Sequence, residues 1–416
     1  MSGIEVYVDL CQESVFAGML YMHLRGGREG SSFRYDPAYI AHSYAYALEP
    51  AMPLSQGEFG FPNGLPRSFR DASPDRWGRQ LINKGLRQQW RESGIAGRTI
   101  TEVDYLLGTS DITRQGALRF RRTGESTFLA TGTRVPKLIT LPELLAASNK
   151  LLAQDWNHDS SDYSVIKILL EAGTGSLGGA RPKSSVIEQD RQGSDALYLA
   201  KFPHPSDEWD VMRWEKIALD LAECAGITVP QSRLLDINGA NVLVLKRFDR
   251  TDVGERIGYM SAMTLMDQED GQAGDYVEIA EALGQISIDT SSDLSELWRR
   301  IVFSLAINNT DDHLRNHAFL REGKGWRLSP AFDLNPNPEV YADRVTAIAG
   351  ASSFEGGCES ISEVREWFGL SQSQAKKIQH DVYVAIDQWK TIARTYGATK
   401  SEITLFSPVF SRFQHS

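Results

Sequence analysis

The sequence predicts an α+β protein with two lobes, a small β-rich lobe followed by a helical lobe, and an extra α/β domain in front of them. Apolar and polar residues alternate over residues 4–10, as in a half-buried strand. Short apolar runs and a glycine-rich segment fill the middle of the chain, and from residue 251 onward apolar residues recur mostly at helical spacing. We therefore divide the 416 residues into three regions, which are 1–125, 126–250 and 251–416.

Local signals place the elements within these regions. An apolar run at 15–22 predicts a second strand, and residues 31–35 are the candidate third strand. Ser73 is the expected N-cap of a helix with Pro74 at its first position. The polar stretch 122–134 indicates a linker. A β pair is expected around the turn Asn238-Gly239. Helices are expected over 141–145, 162–171, 207–224, 276–283, 294–306 and 372–396.

Composition restricts the class of protein. The formal net charge of −10 argues against a stand-alone nucleic-acid-binding protein. Three cysteines, Cys11, Cys224 and Cys358, lie far apart and form neither a metal-binding spacing nor a disulfide framework, so we expect a reducing cytoplasm. The N-terminus lacks a basic segment followed by an apolar one, and no apolar run approaches the roughly 18 residues that span a bilayer. No secretion signal and no membrane association are expected.

The segment after the helix at 294–306 carries the strongest chemical signal. The apolar stripe stops at Asn308-Asn309, so Asp311, Asp312, His313 and Asn316 are expected on a loop. A hairpin with strands at 317–320 and 326–328 follows, and Asp333 lies just beyond it. Taken alone, such residues are usually solvated turn residues. Together they suit phosphoryl transfer, in which Asp311 takes the proton of the attacking hydroxyl while Asn316 and Asp333 hold Mg²⁺ on the phosphates of ATP.

A glycine-rich segment precedes a strand that ends on a lysine. Residues 173–179 contain four glycines, and such a loop either cradles phosphates with its backbone amides or serves as a flexible linker. Lys201 ends the following strand, Glu215 lies on the next helix, and two further strands come after it. This is the order of parts in the N-lobe of a protein kinase, where the lysine holds phosphates and the glutamate orients the lysine.

These motifs together resemble the HipA family of type II toxin–antitoxin serine/threonine kinases, over essentially the whole chain. Segment 73–79 resembles the family's N-terminal domain, and segment 176–183 its glycine loop, although Arg181 stands where the family more often has Gln. Lys201 and Glu215 match its lysine and helix glutamate. The other matches are the hinge strand 246–250, the catalytic loop 311–316 and the metal-binding Asp333.

The resemblance implies an ATP- and Mg²⁺-dependent serine/threonine protein kinase that acts as a toxin. Its targets would include a translation component such as an aminoacyl-tRNA synthetase. A HipB-like helix-turn-helix antitoxin would bind the chain and carry most of the contact with operator DNA. Ser176, inside the glycine loop, is a predicted autophosphorylation site. The catalytic residues would be Asp311, Asn316 and Asp333, and the nucleotide-binding residues Ser176, Gly178, Gly179, Ala180, Lys183, Lys201, Glu215, Lys246, Arg247, Phe248 and His313.

Two other classes remain open from the sequence. A small-molecule kinase of the aminoglycoside-phosphotransferase type also uses an Asp, then an Asn, then a second Asp, although the N-terminal domain and the Ser176 loop speak against it. A non-catalytic partner in a repressor complex is the other class. The intact set of Lys201, Asp311, Asn316 and Asp333 speaks against that class.

Overall fold

The computed structural model describes residues 3–25, 28–128, 135–153, 160–173, 181–189 and 195–412. The chain forms two compact units. The first holds Met1–Ser206 and Asp236–Met260, and the second holds Asp207–Leu235 and Ser261–Ser416. No described helix is both long enough and apolar enough to cross a membrane. The regional boundaries drawn from motifs at residues 125 and 250 stay a prediction.

The strands and helices within the described residues run as follows. The strands are β1 Ile4–Leu10, β2 Glu13–Arg25, β3 Arg28–Tyr35, β4 Phe59–Phe61, β5 Leu118–Arg122, β6 Lys183–Gln189, β7 Asp195–Lys201, β8 Ser232–Ile237, β9 Ala240–Lys246, β10 Tyr259–Ser261, β11 Gly274–Asp275, β12 Ala318–Glu322, β13 Gly325–Leu328 and β14 Thr346–Ala347. The helices are α1 Pro37–Ile40, α2 Arg67–Asp71, α3 Arg76–Glu92, α4 Glu102–Gly108, α5 Leu141–Leu152, α6 Ser160–Glu171, α7 Val211–Cys224, α8 Ala262–Leu265, α9 Tyr276–Ile286, α10 Thr290–Ala306, α11 Phe354–Glu363, α12 Gln372–Ile386, α13 Trp389–Thr395 and α14 Lys400–Phe410.

A five-stranded antiparallel sheet with the order β4-β3-β2-β1-β5 organises the N-terminal part of the first unit. Strand β1 shows the alternating burial that its sequence predicts. The rings of Phe33, Phe69 and Phe120 pack edge to face with centroids 5.3–5.5 Å apart, and Arg114 lies over Phe120. The guanidinium of Arg114 is fully buried and donates to the carbonyls of Ala72, Leu106 and Thr109, which satisfies most of its polar groups.

A four-stranded sheet has the order β6-β7-β9-β8, and its strands β6, β7 and β9 belong to this unit. Its β8–β9 hairpin turns at Asn238 and Gly239, both of which have positive φ, at 54° and 84°. Two left-handed residues are what a tight two-residue hairpin turn needs, so the predicted turn is confirmed. Strand β9 ends at Lys246 rather than continuing to residue 250 as the sequence predicted.

The second unit is mainly helical, and its core contains stacked aromatic rings. Trp214 of α7 stacks on Phe406 of α14 at a centroid distance of 3.7 Å, and Trp389 stacks on Phe410 at 4.7 Å. These side chains are fully buried. Helix α7 therefore packs with the helical unit, although it lies between the strands of the first unit in sequence. The long apolar helix expected over 294–306 is confirmed as α10.

Two predicted helix boundaries were wrong. Helix α3 begins at Arg76 and is capped by Asp75, whose Oδ1 accepts from the amide of Gly78, whereas Ser73 donates its hydroxyl to the carbonyl of Phe69. The single helix predicted over 372–396 is two helices, α12 and α13, with a break at residues 387–388. The break lets Trp389 turn into the aromatic core, and tertiary packing here overrides a continuous local helical pattern.

Candidate functional site

The end of helix α10 positions the loop that carries the candidate catalytic residues. Asn308 follows the helix with φ of 55°, a left-handed conformation that Asn tolerates and that ends helices. Its side-chain amide donates to the carbonyls of Asn337 and Glu339 at 2.8 and 3.0 Å. The helix terminus is thus tied to the segment that follows Asp333. The sequence prediction that the loop lies just past a buried helix is confirmed.

Asp312 anchors this loop to the core. Its buried carboxylate accepts hydrogen bonds from the hydroxyls of Tyr276 and Ser304, and its Oδ1 lies 3.3 Å from Nε2 of His317. Burial raises the pKa of Asp312, but the neighbouring His317 and the hydrogen bond from Tyr276 outweigh burial and hold the pKa below its ordinary value. The sequence did not reveal this role; the only hint was the doubled aspartate beside a histidine.

Asp311 faces the other way and is exposed. Burial of part of its carboxylate raises its pKa, and the negative charges of Asp333 and Asp312 raise it further against the opposing effect of His313. The charge of Asp333 therefore acts on the carboxylate of Asp311, and their common role in a catalytic site stays a prediction. A carboxylate that keeps solvent access beside a second carboxylate can accept a proton from a substrate hydroxyl.

Asn316 and Asp333 present oxygens that suit a divalent cation. Asn316 is buried, its Nδ2 donates to the backbone oxygen of Asp311 at 3.2 Å, and its Oδ1 is buried without a hydrogen-bond partner among the described residues. Asp333 adopts φ of 59°, which is rare and unfavourable for a residue with a Cβ. The side-chain amide of Asn335 donates to the backbone oxygen and to Oδ1 of Asp333, at 3.2 Å each.

These residues fit Mg²⁺, which prefers oxygen ligands and usually completes its shell with water and phosphate. The orphaned Oδ1 of Asn316 is an acceptor that a cation would satisfy. Within the described ranges, no three His, Cys, Asp or Glu side chains are placed to hold a metal alone. The set therefore suits a cation that binds together with phosphates. His313 is half-buried with Nδ1 unpartnered within the described part of the chain, and its predicted nucleotide contact stays a prediction.

The predicted nucleotide-binding lysine and glutamate lie in different units. Lys201 ends strand β7, where it is buried and stands opposite Leu243 of β9. Glu215 is buried on helix α7 of the second unit. Both side chains occupy buried positions, as an ion pair facing phosphates would require, and their pairing stays a prediction.

Most side chains of the predicted hinge, residues 246–250, form ion pairs within the protein. Lys246 pairs with Asp252 at 2.6 Å, and Arg247 forms a bidentate pair with Asp249 at 2.6 and 2.7 Å. The amide of Arg247 donates to the carbonyl of Leu197 in β7. Phe248 is half-buried. Since the arginine and lysine side chains are engaged, the hinge can offer a nucleotide mainly its main chain.

The glycine-rich segment is described only at its two ends. Ser176, Gly178, Gly179 and Ala180 lie outside the described residues. Lys183 is described, and its ammonium lies 2.7 Å from Asp75 with both side chains at most 5% exposed. The structure thus gives Lys183 a buried ion pair, and its predicted nucleotide contact stays a prediction.

Comparisons with known proteins agree along the chain. Residues 175–390 match the model of the HipA-like C-terminal domain, and residues 10–98 match that of the HipA N-terminal domain. "Putative kinase Y4dM" of Sinorhizobium fredii is 28% identical over 38% of this chain and 44% of its own length. A "Putative kinase" of Haemophilus influenzae is 24% identical over 44% of this chain and 59% of its own length. The chain thus spans about half the length of these curated relatives.

The fold is similar to that of a solved complex. The structure described as the Shewanella oneidensis MR-1 toxin–antitoxin system HipA, HipB and operator DNA contains a chain that superposes with a TM-score of 0.66, at 13% identity, over 98% of this chain and 95% of that one. At this identity the likeness concerns the fold alone. The predicted α+β, two-lobed kinase-like fold with an added N-terminal domain is confirmed.

Substitution by Asn should change the free energy of unfolding differently at the adjacent Asp311 and Asp312. Asp312→Asn should lower the free energy of unfolding by about 3 kcal/mol, because it breaks a buried charged network. Asp311→Asn should leave it unchanged or raise it by up to about 1 kcal/mol, since it removes repulsion between carboxylates. Urea denaturation at neutral pH with a chelator present would measure both.

The pH dependence should follow from the same pKa directions. The stabilising effect of Asp312 is lost as pH falls through its lowered pKa, whereas the unfavourable charge of Asp311 appears as pH rises through its raised pKa. Equal destabilisation by the two substitutions would contradict the assignment of Asp312 as anchor and Asp311 as the exposed group.

Proposed function

This chain belongs to the HipA family, and we propose that it is an ATP-dependent serine/threonine protein kinase, the toxin of a HipA-type toxin–antitoxin pair. The observation that carries the proposal is the loop in which Asp311 is exposed, its backbone oxygen accepts from Nδ2 of Asn316, and Oδ1 of Asn316 is buried without a partner among the described residues. The names of the two curated relatives support kinase activity, and the solved complex supports the assignment to a toxin–antitoxin system.

The proposed mechanism relies on positioning and on electrostatics, as phosphoryl transfer does in general. Asp311 accepts the proton of a Ser or Thr hydroxyl and orients its oxygen. Asn316 Oδ1 and the Asp333 carboxylate would hold Mg²⁺, which would neutralise charge on the ATP phosphates. Lys201 holds the α- and β-phosphates, and Glu215 orients Lys201. Asp312, Tyr276 and His317 keep Asp311 in place without touching the substrate.

The substrate and the partner are proposed from the same family. The substrate is a protein of the translation apparatus, such as an aminoacyl-tRNA synthetase. Phosphoproteomics minutes after induction, comparing the wild type with Asp311→Asn, would identify it. Transfer of labelled phosphate to a sugar or amino alcohol, and to no protein of a lysate, would instead indicate a small-molecule kinase.

Substitutions at the loop should separate turnover from nucleotide binding. Asp311→Asn should abolish phosphate transfer and leave the Kd for Mg-ATP nearly unchanged, because it removes the acceptor for the hydroxyl proton. Asp333→Asn should also weaken Mg-ATP binding, since a hard cation loses a charged oxygen ligand. Lys201→Ala should lower affinity and turnover together. Kinase assays and calorimetry would measure these effects.

Asp343→Asn is the matched control for these substitutions. Asp343 is exposed and lies ten residues beyond Asp333 in the same segment, so its substitution should change neither quantity. Near-normal turnover by the Asp311 variant would show that Asp311 is not the base.

Ser176 is proposed as an autophosphorylation site that switches the enzyme off. A phosphate there adds about −1.5 to −2 charges at neutral pH, close to the phosphates that the loop is proposed to cradle. We expect Mg-ATP to place one phosphate on Ser176 in the wild type but not in Asp311→Asn, with falling activity. Peptide mass spectrometry would measure it. An unmodified Ser176 in an enzyme that phosphorylates other proteins would refute the switch.

The proposed partner is a small HipB-like helix-turn-helix protein encoded beside this one. It would make most of the contact with operator DNA, which agrees with the net charge of −10 on this chain. Purification of the tagged chain from its native host should recover this protein in stoichiometric amount. Recovery of the chain alone would count against the toxin–antitoxin assignment and leave the kinase assignment standing.

A further inference from the structure

Buried charges fasten the exit of strand β9 to the N-terminal part of the first unit. Asp249 is 1% exposed and pairs with Arg247 and Arg250, and its Oδ2 also accepts from the amide of Gly116 at 2.8 Å. Burial raises the pKa of Asp249, but the two guanidinium groups outweigh burial and hold the pKa far below its usual range. The carboxylate of Asp249 therefore stays charged and accepts hydrogen bonds from three groups, which are the guanidinium groups of Arg247 and Arg250 and the amide of Gly116.

Both arginines extend this contact to the loop before β5. Arg247 Nη1 donates to the carbonyl of Thr113 at 3.1 Å, and Arg250 Nη2 donates to the carbonyls of Ile112 and Arg114 at 3.2 and 2.8 Å. Loop 112–116 thus provides three acceptors and one donor to residues 247–250. A cluster with this many buried partners holds a single backbone geometry, because each lost partner would leave a polar group unsatisfied.

The same N-terminal region holds both ends of the glycine-rich segment. At its start, Gly173 has φ of 68°, and a Cβ there would lie 2.3 Å from Oγ1 of Thr113, so the backbone packs directly against that side chain. At its end, Lys183 forms the buried pair with Asp75, and the indole of Trp77 donates to the carbonyl of Lys183 at 3.1 Å. Thr113 therefore contacts one end of the segment and the hinge at once.

We propose that residues 73–77 and 112–116 are positioning elements of the nucleotide site, which set the hinge through Asp249 and, through Asp75, the start of strand β6, where Lys183 stands opposite Lys201. This inference rests on the proposed kinase function and assigns the N-terminal domain a part in nucleotide binding. Lys183 then acts through Asp75 and does not contact phosphate. The N-terminal domain is not a separate module on this view, because the hinge geometry depends on its backbone.

Asp75→Asn in the full chain is the main test. Asn retains the oxygen that caps α3, so the helix keeps its start, while the ammonium of Lys183 loses its buried carboxylate. We expect the Kd for Mg-ATP and the KM for ATP to rise roughly tenfold or more, with kcat changed less. Asp249→Asn should act in the same direction. All values are compared well below the melting temperature of each variant.

Glu102→Gln is the matched control. Glu102 pairs with Arg79 at 2.7 Å within the N-terminal domain, and among the described residues no side-chain hydrogen bond or ion pair joins it to residues 246–250 or to Lys183. Loss of the Glu102–Arg79 ion pair should lower the melting temperature and leave the Kd for Mg-ATP unchanged. A Kd for Mg-ATP of folded Asp75→Asn within roughly twofold of the wild-type value would overturn the proposal. If Asp249→Asn does not fold, the Kd of Asp75→Asn alone tests the proposal.

The double variant Asp75→Asn/Lys183→Met separates positioning from direct binding. If the unpaired ammonium of Lys183 displaces the start of strand β6 in Asp75→Asn, removal of that ammonium should restore most of the lost affinity for Mg-ATP. If Lys183 itself binds phosphate, the double variant should bind as weakly as Asp75→Asn or more weakly, which would overturn the positioning role. A wild type that binds no Mg-ATP would overturn the kinase function as well, so the two failures are distinct.

Discussion

The catalytic loop depends on one buried carboxylate, that of Asp312. A charge removed from water is costly unless it is fully partnered, and here Tyr276 of α9, Ser304 of α10 and His317 after the loop converge on it. Two helices and the start of a strand are thereby held to one point. The residue beside it, Asp311, must then face solvent. The orientation of the candidate base is a consequence of how its neighbour is buried.

Unfavourable features collect around this loop. Asp311 has a raised pKa, Asn316 has a buried oxygen without a partner among the described residues, and Asp333 has a left-handed backbone. Each costs stability in the chain alone, and a divalent cation would relieve the first two by neutralising the carboxylate and by satisfying the amide oxygen. Local rules are commonly broken where a site is built for a ligand, and the surrounding helical core supplies the stability that offsets them.

In the first unit, too, a buried carboxylate holds several hydrogen-bond donors together, here after strand β9. Asp249 gathers two arginines and a backbone amide, and through them a loop of the N-terminal domain reaches the residues that follow strand β9. From the sequence, residues 246–250 resemble the hinge strand of a HipA-type kinase. The structure adds that Arg247, Asp249 and Arg250 of this segment contact loop 112–116 of the N-terminal domain.

Much of the architecture was determined by the sequence alone, because it depends on local pattern. The alternation in β1, the Asn238-Gly239 turn and the apolar stripe of α10 each specify their element without reference to the rest of the chain. The order of Gly-rich segment, lysine strand, glutamate helix and Asp-Asn-Asp loop was sufficient to recognise the family. What the sequence could not determine was which of two similar residues is buried. Asp311 and Asp312 are the same residue type at adjacent positions, and only the tertiary structure supplies the partners that bury Asp312 and leave Asp311 exposed.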